Sequence, residues 1–167
     1  MLNQDCFLSK NWMGSKETYE EAKWVMIGLP FDSTCSNRPG TRFASNEIRY
    51  ASYGLEEYSP MLNKELNSTS FYDAGDLNLP FGNPHDALFI IKNCANNIIN
   101  DNKFIFGVGG EHLVSLPLIQ AAYQKYPNMI LVHFDAHADL RQEYLGQKLS
   151  HATVIRRVLD DISSNNL

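Results

Sequence analysis

Short apolar runs bounded by turn-forming residues divide this chain into segments that are typical of β-strands. Runs of this kind occupy residues 24–30, 70–76, 104–108 and 129–134. The last run, Met129 to Phe134, contains five apolar residues among six. Because polar residues do not alternate with apolar ones there, we expect a strand that is buried on both faces, as in parallel sheets.

Between these runs, apolar residues recur at spacings of three and four, which is typical of helices. This pattern predicts helices at residues 85–100 and 115–126. A further helix is predicted from Ser45, acting as its cap, to about Tyr53. Strands and helices that alternate in this way predict one α/β domain over residues 1–167, with a mainly parallel sheet and helices on both of its faces.

Composition and charge exclude several classes of protein. The chain is 44% hydrophobic and 20% charged, which is ordinary for a soluble globular domain. Its net charge of −5 argues against a nucleic-acid partner, and its three widely spaced cysteines argue against a disulfide scaffold. The start of the chain shows no signal peptide, and no apolar run approaches the ~20 residues of a membrane span. We therefore expect a cytoplasmic protein without a membrane or nucleic-acid partner.

Candidate metal ligands follow the apolar run that ends at Phe134. Asp135, His137 and Asp139 are two residues apart, so an extended backbone would place their side chains on one side. The carboxyl end of a parallel strand is where open α/β sheets bind their ligands. Two carboxylates and an imidazole there suit a metal ion better than a core. The alternative interpretation is a polar turn after a buried strand.

A second candidate ligand, His112, ends the glycine-rich segment Gly107-Val108-Gly109-Gly110-Glu111. The glycines favour a phosphate site only weakly, because there is no Walker lysine and no GxGxxG motif that opens the helix. If the two strands are neighbours, His112 meets the face formed by Asp135 and Asp139. Imidazole and carboxylate together suit manganese, iron or zinc, whereas calcium takes oxygen ligands alone. The alternative for His112 is a helix-entry histidine that bonds to backbone.

These two motifs together resemble those of the ureohydrolases, the dimanganese enzymes that include arginase and agmatinase. Other segments are similar to the agmatinase branch: residues 28–32, 38–43, 48–49, 139–146 and 150–153. The asparagine and serine pattern with which arginases hold the α-carboxylate of their substrate is not found. The resemblance covers nearly the whole chain, and it implies an arginase-like, three-layer α/β/α fold.

The resemblance also implies a role for each matching residue. His112 and Asp139 would bind the first of two Mn²⁺ ions, His137 would bind the second, and Asp135 would bridge them. A hydroxide produced between the ions would attack a small guanidino substrate, most simply agmatine, and give putrescine and urea. His151 would carry the proton to the leaving amine. The family commonly forms homo-oligomers, so a homo-oligomer is expected.

The chain departs from this family in one respect. A second aspartate motif of the pattern Ser-x-Asp-x-Asp-x-x-Asp-Pro, and a later glutamate, do not occur before Leu167. The resemblance therefore implies the amino-terminal part of a longer protein, with the carboxyl-terminal part of the domain missing. Two alternatives remain open: another amidinohydrolase such as guanidinobutyrase, or a non-catalytic, truncated domain of the same fold.

Three further histidines allow simpler interpretations. His151 would also fit a solvated residue at the start of a helix. His133 is interpreted as a core histidine, although it shares the strand side of the candidate ligands and can support one of them. His85 is expected to be structural. Asp73 and Asp76, at the end of a predicted strand, are expected to brace the site and not to bind metal.

Overall fold

The computed structural model describes residues 6–7, 10–16 and 18–167. Six strands are described: β1 (Cys6–Phe7), β2 (Trp24–Leu29), β3 (Tyr58–Ser59), β4 (Lys64–Glu65), β5 (Phe71–Leu77) and β6 (Phe104–Gly109). The main sheet has the order β1-β5-β2-β6, in which β2 pairs in parallel with both β5 and β6, and β1 is antiparallel. Strands β3 and β4 form a separate antiparallel hairpin. Residues 1–5, where no signal peptide was found, lie outside the described residues.

The described α-helices are α1 (Ala44–Ser52), α2 (Pro84–Asn100), α3 (Ser115–Lys125) and α4 (Val154–Asp161). Short 3₁₀ helices lie at Thr41–Phe43, Leu66–Ser68, His112–Val114, His151–Thr153 and Ser164–Asn166. None of the helices among the described residues has the length and apolar character needed to cross a bilayer. The predicted strands at residues 24–30, 70–76 and 104–108 are confirmed as β2, β5 and β6. The helices predicted at residues 85–100 and 115–126 are confirmed as α2 and α3.

One face of the sheet is packed against α2, α3 and α4. Alternate residues of β2, among them Val25 and Ile27, point into this layer and are at most 1% exposed. Helix α2 contributes Ile91 and Ile98, which are fully buried. Ile91 and Ile98 are two helical turns apart and therefore lie on one face of α2. This face packs against the alternate residues of β2, which point to one side of the sheet. This packing accounts for the parallel α/β arrangement that the sequence predicted.

Helix α1 lies on the opposite face, where Gly28 leaves room for it. A Cβ atom at Gly28 would lie 1.8 Å from Oδ1 of Asp76 and 2.9 Å from Cβ of Ser45. The Arg49 guanidinium is held there by both oxygens of Asp73, at 2.7 and 2.8 Å, and it also contacts Asp76. Helices on both faces of a mainly parallel sheet confirm the α/β/α class.

The predicted capping role of Ser45 is wrong. Helix α1 begins at Ala44, and the residue before it, Phe43, offers no side-chain cap. The buried Ser45 hydroxyl instead donates a hydrogen bond to Oδ2 of Asp76, at 2.9 Å. The 3₁₀ helix Thr41–Phe43 leads directly into α1, so Ser45 lies inside the helix and not at the cap position.

The predicted strand at Met129–Phe134 is also wrong for this chain. The segment forms no strand, and Ile130, Val132 and Phe134 are 76%, 66% and 93% exposed. Its alternate residues are half-buried, so only one side of the segment is covered. Its backbone makes two hydrogen bonds to other described backbone groups and no ladder: Met129 N–H donates to the Tyr126 carbonyl at 3.0 Å, and Leu131 N–H donates to the Asn166 carbonyl at 2.7 Å. The apolar composition predicted that both faces of this segment are buried, but the described residues cover only one of its faces.

The Arg49–Asp73 pair provides a test of how the α1 side of the sheet is stabilised. We expect Arg49→Met to lower the free energy of unfolding by about 3–5 kcal/mol, because Asp73 would remain buried without its cation. Urea denaturation measures the loss. The matched control is Arg156→Met, which removes a half-exposed pair with Asp160 and should cost less than about 1 kcal/mol. Equal losses in the two variants would contradict this assignment.

Candidate metal centre

His112 reaches the site because the end of β6 is packed directly against the end of β2. A Cβ atom at Gly110 would lie 2.2 Å from the carbonyl oxygen of Phe31, so only glycine allows this approach. The next N–H, from Glu111, donates to the same carbonyl at 2.8 Å. The short helix His112–Val114 starts at once, and His112 therefore lies at the carboxyl end of the parallel strands.

The loop that holds Asp135 and Asp139 is fixed by local hydrogen bonds. The backbone N–H of His137 donates to Oδ1 of Asp135 at 3.0 Å, which closes a tight turn after Phe134. Asp139 has a positive φ of 48°, and its carbonyl accepts from the Arg156 N–H at 3.1 Å. The loop is thus anchored to the first turns of α4, and the Asp139 carboxylate faces His112.

Four side chains converge at this point: His112, His133, Asp135 and Asp139. One ligand atom from each lies within 4.8 Å of the others. Nδ1 of His112 is 2.5 Å from Oδ2 of Asp139 and 3.5 Å from Oδ2 of Asp135. Nε2 of His133 is 3.5 Å from the same Asp135 oxygen. The structure therefore brings together three of the four predicted ligands and adds His133.

His137 occupies the other side of Asp135. Its side chain is 82% exposed, and its Nδ1 lies 3.5 Å from Oδ1 of Asp135. It is not a member of the four-residue cluster. Asp135 thus presents one oxygen to His112 and His133 and the other oxygen to His137. A carboxylate arranged in this way can join two neighbouring metal positions.

Sequence reasoning did not include His133 among the ligands. Its ring stacks on that of His112, with centroids 5.3 Å apart and planes inclined by 14°. Its Nε2 is buried and makes no hydrogen bond to the described residues. The alternation of positions 133, 135, 137 and 139 was the available signal, since it places His133 on the ligand side. The apolar character of its neighbours favoured a core histidine instead.

The cluster has the chemistry of a cation site. The backbone N–H of His137 holds the pKa of the Asp135 carboxyl below its ordinary value, and the imidazoles of His112 and His133 act in the same direction. Nε2 of His133, which is buried and makes no hydrogen bond among the described residues, lies 3.5 Å from this carboxylate. Imidazole nitrogens and carboxylate oxygens suit a divalent ion such as manganese, iron or zinc. The residues therefore fit a metal ion.

His151 lies beside this cluster and borders two clefts. Asp139, His137 and His151 line both an inner cleft of about 370 Å³, which contains His112 and Asp135, and an outer cleft of about 620 Å³. Nδ1 of His151 is 2.7 Å from the carbonyl oxygen of Thr34, and the Tyr144 ring packs edge-on at 5.3 Å. His151 is thus half-buried beside the metal cluster and lines both clefts.

Comparison with known proteins identifies the family. Residues 22–167 match the arginase family, and the chain belongs to it. The agmatinase of Bacillus subtilis (strain 168) is 47% identical over 167 residues, and that of Halalkalibacterium halodurans is 46% identical over the same length. The crystal structure of an agmatine ureohydrolase from Thermoplasma volcanium superposes with a TM-score of 0.88 at 32% identity, over 96% of this chain and 54% of that one.

These relatives are longer than the chain. All of its residues align with both bacterial agmatinases, but they span only 58% of the length of either. The resemblance found in the sequence is confirmed. The arginase-like α/β/α fold is also confirmed by the superposition.

The donor count yields a test of metal binding. We expect the 167-residue polypeptide to bind Mn²⁺ weakly, because two ions need roughly four ligands each and this cluster shares four donors. Calorimetry with MnCl₂ measures the affinity. Asp135→Asn should weaken binding further, whereas Asp160→Asn, which alters an exposed carboxylate on α4, should not. Tight binding of two ions per chain would contradict the expectation.

Proposed function

We propose that this chain forms part of a manganese-dependent ureohydrolase that converts agmatine to putrescine and urea. The observation that carries the proposal is the two-sided placement of Asp135, between His112 and His133 on one side and His137 on the other. It occurs in a chain that is 47% identical to an agmatinase along its whole length.

The proposed ligands are His112, Asp135, His137 and Asp139, with His133 in contact with them. His112 and Asp139 would hold one ion, His137 would hold the other, and Asp135 would contact both. When bound, two divalent ions lower the pKa of a shared water and supply a hydroxide near neutral pH. The contribution of the chain is to hold these donors at one edge of a rigid sheet.

The charge of the chain as a whole supports a cationic substrate. Its net charge of −5 favours the approach of a cation such as agmatine. Asp135 and Asp139 line the inner cleft as proposed metal ligands, so they are not counted as carboxylates that bind the guanidinium.

His151 supports the second half of the reaction. A carbonyl oxygen only accepts hydrogen bonds, so the 2.7 Å contact with Thr34 assigns the imidazole hydrogen to Nδ1. Nε2 is then the basic nitrogen, and His151 lines both clefts. Cleavage of a guanidinium releases an amine that needs a proton. We assign the transfer of that proton to His151.

A second candidate is guanidinobutyrase or another amidinohydrolase whose substrate carries a carboxylate. Arg38 lines the inner cleft and Arg141 lines the outer one. Either guanidinium would pair with the carboxylate of 4-guanidinobutyrate, which agmatine lacks. By resemblance we also propose a cytoplasmic homo-oligomer that takes part in polyamine biosynthesis. A non-catalytic domain of this fold is the remaining alternative.

Urea release separates these candidates. The gene product that contains this chain, supplied with Mn²⁺, should release urea from agmatine faster than from 4-guanidinobutyrate or arginine. A preference for 4-guanidinobutyrate would support the second candidate and point to Arg38 or Arg141. Light scattering on the same sample reports the oligomeric state. No urea from any of the three substrates would contradict the ureohydrolase proposal.

Two histidine variants distinguish a proton carrier from a ligand. His151→Ala should lower turnover by on the order of 10²–10⁴-fold with unchanged manganese content, because the imidazole acts in the transition state. His137→Ala should lower the manganese content, and high manganese should partly restore its activity. Metal analysis beside each kinetic measurement provides the comparison. If metal loss explains both variants, His151 is a ligand or a structural residue.

A further inference from the structure

Thr34 lies between Glu111 and His151 and bonds to both. Its side-chain hydroxyl donates to Oε1 of Glu111, and its backbone N–H donates to Oε2 at 2.8 Å. The same hydroxyl oxygen accepts from the His151 N–H at 3.0 Å, and the Thr34 carbonyl accepts from His151 Nδ1 at 2.7 Å. One loop residue therefore makes two hydrogen bonds to a carboxylate and two to an imidazole-bearing residue.

The carboxylate end of this chain of contacts is rigid. Glu111 is only 5% exposed, and its backbone N–H is bonded to the Phe31 carbonyl. It immediately precedes His112, in a segment where Gly110 allows no larger residue. A hydrogen bond to a buried carboxylate is stronger than one to a neutral group. Thr34 is thus held at a fixed distance from the start of the His112 helix.

The imidazole end determines which nitrogen of His151 is available. With its hydrogen directed at the Thr34 carbonyl, Nδ1 is occupied, and Nε2 is left for proton exchange. The second bond, to the His151 N–H, fixes the backbone from which the ring projects. The ring therefore has one tautomer and one orientation relative to His112.

We propose that Thr34, anchored by Glu111, is a positioning residue that keeps the Nδ1 hydrogen of His151 on the Thr34 carbonyl, so that Nε2 takes up and releases the transferred proton, and that holds the ring at a fixed distance from the metal cluster. This inference rests on the proposed function for the role of His151. Among the described residues, the hydrogen bonds of Thr34 go to Glu111 and His151 and not to Asp135 or Asp139, so its effect on chemistry passes through His151.

The experiment replaces Thr34 in the gene product that contains this chain. Thr34→Val keeps the shape of the side chain but removes the hydroxyl, so kcat should fall by ~10- to 100-fold while KM and manganese content stay unchanged. Thr34→Ser restores the hydroxyl and should recover most of the rate. Ser33→Ala, one residue away on an exposed side chain, is the matched control and should resemble the parent protein.

A double variant tests whether Thr34 acts through His151. In a His151→Ala background, Thr34→Val should cause no further loss, because the residue that it positions is absent. Glu111→Gln provides a second route if Thr34→Val is poorly folded, and it should lower kcat in the same selective way. Additive losses for Thr34→Val and His151→Ala, or an unchanged kcat in Thr34→Val, would overturn the proposal.

A measurement without substrate separates this proposal from the proposed function. Nitrogen-15 NMR of labelled histidine should show His151 with its hydrogen on Nδ1 in the parent protein. Thr34→Val keeps the carbonyl that accepts from Nδ1, but it removes the hydroxyl bonds to Glu111 and to the His151 N–H that hold this carbonyl against the ring, so a mixture of tautomers is expected in the variant. If the parent releases no urea but shows this tautomer shift, the function is wrong and the positioning stands. If urea is released and the tautomer does not change, the positioning by Thr34 is wrong.

Discussion

The contact between the backbone at Gly110 and the backbone at Phe31 is the constraint on which the site depends. It brings the carboxyl ends of β6 and β2 so close together that no side chain fits between them. His112 follows the end of β6, and Thr34 lies five residues beyond Leu29, the last residue of β2. The bonds from Thr34 to Glu111 and to His151 then extend this contact to the start of α4. The ends of β6 and β2 therefore position both the metal cluster and His151.

Two groups of charged residues in this fold differ in how their charges are compensated. On the α1 side, the buried Asp73 meets a bidentate Arg49, and both side chains are at most 1% exposed. The same guanidinium also contacts Asp76, so both carboxylates on this side have a cation as partner, and the group has a structural role. In the cluster, Asp135 and Asp139 pair with histidines and form no ion pair with an arginine or lysine among the described residues, and the His133 nitrogen makes no hydrogen bond there. Such a deficit of positive charge is expected where a cation completes the site.

The sequence was sufficient to predict those strands and helices that pack against one another. Strands β2, β5 and β6 and helices α2 and α3 bury one another, so their periodicity predicted them. The segment 129–134 has the same apolar character, but its backbone lacks strand partners among the described residues. The cap predicted at Ser45 is wrong because the 3₁₀ helix Thr41–Phe43 starts the helical segment earlier, and the Ser45 side chain instead contacts Asp76, 31 residues away. Local patterns report local preference, and a distant partner decides the outcome.

In the site, too, some residues are predicted by a sequence motif, whereas others are identified only by tertiary contacts. The spacing of Asp135 and Asp139 was enough to predict them as ligands. The inclusion of His133 in the cluster depends on a tertiary contact, the stacking of its ring on that of His112. The two sides of Asp135 are also unequal. Its inner oxygen faces two half-buried imidazoles, while its outer oxygen faces the exposed His137 alone. A divalent ion on that outer side needs roughly four ligands, and waters with two protein donors hold such an ion weakly. Tight binding of a second ion would therefore require donors other than His137 and Asp135. The occupancy of this outer position depends more on such additional donors than the occupancy of the position beside His112 and His133.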